Sequence, residues 1–264
     1  MYTLCLAVIS HDRPHLLRHM LDSLRHTADN PHIRVIVSDN STTLADEVKN
    51  VCAKYSFVKL IASPGVTQFK NYEQALVESN SKYISFLHDD DFLVLTKVML
   101  EDTLSCLFSA DWPTLFRSRS ISFSSSLPSF LFAHQGELPK PYSLGAFPFS
   151  LPAFPCWVYP CIPELNDVIA QNLGLRPFGK YSDISFVEEM LHRNHYEVCI
   201  LPYYYFHVQH SESDSASTDY AARLRLLWHT CRHVPPVKLG PFLVNTLRHA
   251  LALCCQVVIN SMRA

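Results

Sequence analysis

The chain has 264 residues, 48% apolar and 17% charged, with a formal net charge of −2. That is enough length and apolar content for one large domain or two small ones around a sizeable core, and it excludes intrinsic disorder. So small a charge gives no argument for nucleic acid, and no stretch reaches the roughly 18 apolar residues that cross a bilayer.

The N-terminal run Met1 to Ser10 is apolar, without a basic leader or a cleavage-like site, and reads as a first strand centred on Leu4 to Ile9. Leu16, Leu17, Met20, Leu21 and Leu24 then share one helical face, with Pro14 near the helix start. Ile33 to Val37 reads as a second strand that ends in Ser38-Asp39-Asn40-Ser41. Leu44, Val48, Val51 and Cys52 predict a second helix, Val58 to Ile61 a third strand, Phe69 to Val77 a third helix and Tyr83 to Leu87 a fourth strand. This alternation implies a mainly parallel sheet flanked by helices, an α/β fold in which ligands bind at the carboxyl ends of the strands. Three polar clusters obey that rule: His11-Asp12-Arg13, Asp39-Asn40-Ser41 and Asp89-Asp90-Asp91 each follow a predicted strand. One such cluster is a turn; three on the same edge of a sheet look like a site.

Ser118 to Pro163 is rich in Ser, Pro and Phe and reads as irregular, loop-heavy and packed by aromatics. Pattern resumes near Glu164. Ile184, Val187, Met190 and Leu191 lie on one helical face just after Tyr181-Ser182-Asp183. A strand-like stretch, Tyr196 to Leu201, precedes the run Tyr203-Tyr204-Tyr205-Phe206, and from Tyr220 the pattern is helical. The nine Cys are odd in number and scattered, as reduced thiols of a cytoplasm are, and Cys156 and Cys161 lack zinc-site spacing. Only six Gly occur, none before Gly65, so neither a dinucleotide-binding GxGxxG after the first strand nor a P-loop is present.

The run His88-Asp89-Asp90-Asp91 carries the most chemistry. Three adjacent carboxylates at a strand end repel one another, and a hard divalent cation, Mg²⁺ or Mn²⁺, relieves this while bridging to a substrate diphosphate. The alternative is a solvated acidic turn with Asp91 as a helix cap. Asp183, before a helix, is either a general base or a cap. Asp39 lies in Asp-Asn-Ser, a good turn as well as a candidate ligand. Trp157 either stacks on a sugar ring or belongs to the core. His11, His15, His19 and His26 fall near one helix and read as surface residues.

In this order and spacing, the motifs Val8 to Pro14, Val35 to Ser41, Asn71 in its helix, Ile84 to Asp91 and Tyr181-Ser182-Asp183 resemble the family 2 glycosyltransferases of GT-A fold, over about residues 1 to 215. The resemblance implies an inverting transferase using a nucleotide-diphosphate sugar, with a UDP-sugar favoured. It implies a catalytic domain over 1–215, with a nucleotide-sugar half at 1–117 and an acceptor half at 118–215, and a helical extension at 216–264. By position, Ser10, Asp12, Arg13, Asn71 and Asp89 would line the nucleotide sugar, Asp39 would hold the base and Asp90 the ribose. Asp91 with Asp89 would form the metal-binding DXD pair. Asp183 would be the general base, with Glu188 and Glu189 as rivals, since Ser182 replaces the acidic residue often found before it. His210, in a segment like H-x-x-S-x-S, would complete the metal site, with His207 as its rival. Asp12 stands where many members have Asn, and His88 replaces a more usual apolar or acidic residue.

The expected acceptor is a saccharide or lipid-linked saccharide of bacterial surface polysaccharide assembly. The expected location is the cytoplasm, with a peripheral place at the inner face of the membrane. Phe242, Leu243, Leu247, Ala250, Leu251, Cys254, Val258 and Ile259 recur near helical spacing, and with Arg248 and Arg263 they point to core packing, a homodimer contact or anionic lipid. The competing classes are a nucleotidyltransferase on a related sheet, which usually needs a Gly-rich loop after the first strand, and a non-catalytic nucleotide-sugar-binding scaffold.

Overall fold

In chain order the elements are β1 (Tyr2–Ser10), α1 (Pro14–Ser23), β2 (Ile33–Asp39), α2 (Ala45–Cys52), β3 (Val58–Ala62), α3 (Gln68–Ser79), β4 (Ser81–His88), β5 (Phe92–Val94), α4 (Lys97–Ser109), β6 (Leu115–Ser124), β7 (Phe132–His134), β8 (Trp157–Pro160), α5 (Pro163–Val168), α6 (Ser182–Arg193), β9 (Val198–Gln209) and α7 (Tyr220–Cys231). The computed structural model describes residues 1–124, 132–134, 154–193, 198–209 and 220–231, with residues 240, 243, 244 and 247 besides. Among them nine strands form one sheet in the order β3-β2-β1-β4-β8-β6-β9-β5, with β7 on β6. This is the α/β architecture the strand-helix alternation predicts.

The first half is parallel. β1 pairs with β2 and with β4, and β2 with β3, all parallel. β1 is buried from Thr3 to Ser10 because helices cover both faces, which is why it reads as a continuous apolar run. Pro14 opens α1, where its missing N–H costs nothing, and Leu17, Met20 and Leu21 turn inward. Thr67 caps α3 by accepting the Lys70 N–H, and Asn80, in the left-handed region at φ 43°, ends it. The register sets Ser10 beside Asp39 and Ile9 beside His88, so the three polar strand ends share one edge.

The second half corrects the sequence reading. Ser118 to Pro163 was expected to be irregular, yet β7, β8 and most of β6 fall within it. β8 is four residues long and wholly buried, so it shows no apolar-polar alternation. It joins the halves, antiparallel to both β4 and β6. Phe86, Phe154, Tyr159 and Phe186 pack at that seam, Phe86 stacked on Phe154 at 5.7 Å and Tyr159 edge-on to Phe186 at 5.1 Å. β9 also runs farther than expected, from Val198 through the tyrosines to Gln209. The β6–β9 register shifts between Arg117, opposite Ile200, and Arg119, opposite Tyr204. That irregularity sits where Pro202 has no N–H to give the ladder.

No helix among the described residues is long and apolar enough to cross a membrane. The extension is helical over α7, while Leu243 and Leu247 are exposed. Phe242, Arg248, Ala250, Leu251, Cys254, Val258, Ile259 and Arg263 lie outside the described residues, and with them the expectation about the tail.

Glu188, on α6, is buried against α7 and accepts the Thr230 hydroxyl at 3.0 and 3.2 Å. Burial pushes its carboxyl up to about 8 from an ordinary 4.5, against the pull of Thr230. Between those values the folded chain keeps a proton that the unfolded chain releases, so this stability is full below pH 4.5 and lost as pH rises through about 8. Unfolding free energy should therefore fall by roughly 5 kcal/mol over that window, and Glu188→Gln should flatten the profile. Denaturant titrations at about pH 5 and 8 check this; an equal slope in the variant would refute it.

Candidate active site at the carboxyl edge of the sheet

Past β1 the chain turns sharply, with Asp12 at φ 51°. Its Oδ1 accepts the backbone N–H groups of Thr42, Thr43 and Leu44, at 3.2, 3.0 and 2.8 Å. Burial works to raise this carboxyl, but the N–H donors of Leu44, Thr42 and Thr43 outweigh it and hold it below the usual range. The Asp12 N–H in turn donates to Ser41 Oγ at 2.7 Å, and that hydroxyl donates to Asp39 Oδ1 at 2.6 Å. Asp39 is buried, which pushes its carboxyl up against the pull of Ser41. The loops after β1 and β2 are thereby tied together, and the expected nucleotide residue Asp12 is committed to that tie.

Asn71 and Ser10 lie beneath them. Asn71 is fully buried; its Nδ2 donates to the Ser10 carbonyl at 3.4 Å, and Ser38 Oγ approaches its Oδ1 at 3.5 Å. It braces two strand ends and offers no open group to a ligand. The Ser10 hydroxyl is buried and draws both Asp39 and Asp89 toward the ionised form.

The three consecutive carboxylates diverge. Asp89 is fully buried: one oxygen accepts the His11 N–H at 3.2 Å and the other lies 2.6 Å from an Arg13 terminal nitrogen. Burial pushes its carboxyl up to about 7 against the pull of Arg13. The other terminal nitrogen of Arg13 donates to Asp90 at 2.7 Å. Asp91 is buried and accepts the hydroxyl of Tyr205, from β9. His88 Nδ1 stands 3.8 Å from an Asp91 oxygen, and its Nε2 is 3.3 Å from the Tyr72 hydroxyl of α3.

These positions give a candidate metal group that shares Asp91 with the expected set. His88, Asp90 and Asp91 bring one ligand atom each within 4.8 Å of one another, and Asp89 stands outside the group because Arg13 and the His11 N–H hold its oxygens. The trio could hold a divalent cation, whose octahedral ligands at about 2.1 Å lie about 3 to 4 Å apart. His210 lies outside the described residues. His207 has its backbone in β9, opposite Ser122.

Asp183 sits in the first turn of α6, half-buried, and accepts the Ile184 N–H at 2.8 Å. Burial raises the Tyr72 phenol strongly; Asp183 and Asp90 both add to that and Arg176 opposes it. Tyr72 meets His88 at the acidic strand end and lies within electrostatic reach of Asp183. The rivals face elsewhere: Glu188 meets Thr230, and Glu189 accepts the Asn172 amide at 3.4 Å. Trp157 is wholly inside the core, with no ring face left for a sugar. Tyr72 and Tyr205 escaped the sequence reading. The available signal was the strand period, which turns Tyr203 and Tyr205 inward and leaves Tyr204 and Phe206 only partly covered.

Residues 5–97 match the family described as Glycosyl transferase family 2. No curated protein matches the chain. Among solved structures it resembles S. aureus TarS 1-349, at 13% identity and TM-score 0.54, covering 88% of this chain and 65% of that one. The same fragment in complex with UDP-GlcNAc gives 14% identity, TM-score 0.55 and coverage of 91% and 71%. Glucosyl-3-phosphoglycerate synthase from Mycobacterium tuberculosis, in complex with Mn²⁺, UDP and phosphoglyceric acid, gives 12% identity, TM-score 0.54 and coverage of 89% and 80%. The chain spans less than two thirds of the length of the first TarS structure. The fold is that of the GT-A glycosyltransferases, and the family resemblance read from the motifs is matched over residues 5–97.

Proposed function

We propose, for a chain with family 2 glycosyltransferase sequence at residues 5–97 on a GT-A fold, that it transfers a sugar from a nucleotide-diphosphate sugar to an acceptor hydroxyl. The observation that carries this is the gathering of Asp39, His88, Asp90 and Asp91 on one sheet edge. UDP is the favoured nucleotide, because structural neighbours are complexes with UDP-GlcNAc and with UDP.

His88, Asp90 and Asp91 would hold a divalent cation, Mn²⁺ or Mg²⁺, which neutralises charge on the departing diphosphate. Asp39, fixed by Ser41, faces the base. Arg13 keeps Asp90 in place from the protein side. Asp183 takes the proton of the acceptor hydroxyl as its oxygen forms the bond to the anomeric carbon. The bond from that carbon to the diphosphate oxygen breaks on the opposite face, so the anomeric centre inverts. Asp183 stands in the first turn of α6, where a helix N-terminus suits negative charge. The acceptor is a saccharide or lipid-linked saccharide of a bacterial surface polysaccharide, met at the cytoplasmic side of the membrane; residues 1–215 form the catalytic unit.

Asp183→Asn tests the central role. Turnover should fall on the order of 10²-fold, with UDP affinity unchanged. UDP release from UDP-sugars and UDP titration read the two quantities. A matching loss of UDP affinity would give Asp183 a structural role, and turnover near the parent level would remove it from the reaction.

A further inference from the structure

We propose that His88 is a nitrogen ligand of the cation site and turns its preference from Mg²⁺ toward a first-row transition ion such as Mn²⁺. The inference rests on the function proposed above and concerns what is particular to this chain.

His88 is the last residue of β4, and the parallel register fixes its backbone beside Ile9. Its Nδ1 faces Asp91 at 3.8 Å, within the group that also contains Asp90. Its Nε2 meets the Tyr72 hydroxyl at 3.3 Å. Tyr72 is buried on α3, and its hydroxyl can accept as well as donate. With Nε2–H donating to Tyr72, the lone pair is left on Nδ1, on the side of Asp90 and Asp91. A ligating histidine needs such a partner to fix its tautomer and its ring, and loss of that partner costs about 10- to 100-fold in metal affinity. The Phe154 ring lies 6.4 Å from that of His88, centroid to centroid. Mg²⁺ takes oxygen ligands almost exclusively and sheds water reluctantly, whereas an imidazole nitrogen suits the first-row transition ions. One imidazole with two carboxylates therefore disfavours Mg²⁺ relative to the all-oxygen set that Asp would give at this position.

The test uses the full chain, stripped by chelation and loaded with Mn²⁺ and UDP. Pulsed electron paramagnetic resonance should detect a ¹⁴N coupling to bound Mn²⁺ in the parent chain and none in His88→Asp. The Mg²⁺ concentration that displaces Mn²⁺ should fall by about tenfold in His88→Asp and in Tyr72→Phe. Mn²⁺ bound without nitrogen coupling, with the Mg²⁺ competition unchanged in His88→Asp, would overturn the inference and leave the proposed function standing. No Mn²⁺ bound by the parent chain in the presence of UDP would overturn the metal reading as well. Should His88→Asp not fold, the coupling in the parent chain decides alone.

Discussion

Asp91→Asn is expected to lower turnover on the order of 10³-fold while the chain still folds. The carboxylate is buried, accepts the Tyr205 hydroxyl and lies in the trio with His88 and Asp90. Asn keeps the volume and an oxygen for Tyr205 but removes the negative charge that a divalent cation needs. Stabilisation of a departing diphosphate by a metal amounts to several kcal/mol, and each ~1.4 kcal/mol is tenfold in rate. UDP release from UDP-sugars at saturating Mn²⁺ measures the loss, and thermal unfolding with and without Mn²⁺ shows whether metal-dependent stabilisation is lost with it. Turnover within tenfold of the parent chain would place the reaction elsewhere.

Above about pH 7, where Asp89 is ionised, Arg13→Ala should cost on the order of 3 kcal/mol of folding stability, because it strands a buried carboxylate. Asp89 has no exposure to water, and Arg13 lies 2.6 Å from it while also holding Asp90 at 2.7 Å. This is unlike the exposed pairs Lys59–Glu78 and Lys70–Glu73, whose charges solvent screens. Adding Asp89→Asn to Arg13→Ala should recover most of the loss, since the amide needs no counter-charge. Urea titration of both variants decides it. A single-variant loss under about 1 kcal/mol would mean that Asp89 is satisfied without Arg13.

Most of the parallel half was legible from periodicity. Its strands are covered on both faces and read as apolar runs, its helices show one apolar stripe, and the rule for strand ends located Asp12, Asp39 and the run from His88 to Asp91 on one edge. The antiparallel half was not legible, because β8 is buried on both sides among prolines and β5 has only three residues. Neither is long enough to display a period.

Within the site, the sequence by itself determined which residue types gather and at which edge. Only the tertiary structure decided what each one does. Beyond the last ladder pair of a strand, the two-residue alternation no longer fixes where a side chain points. Thus Asp89 turns inward to Arg13, while Asp90 and Asp91 join His88. The partners that settle those directions come from far along the chain: Arg13 from the end of β1, Tyr72 from α3 and Tyr205 from β9, 114 residues beyond Asp91. Local spacing carries no record of a contact that packing alone creates, and this is why Tyr72 and Tyr205 became visible only once the sheet had closed around them.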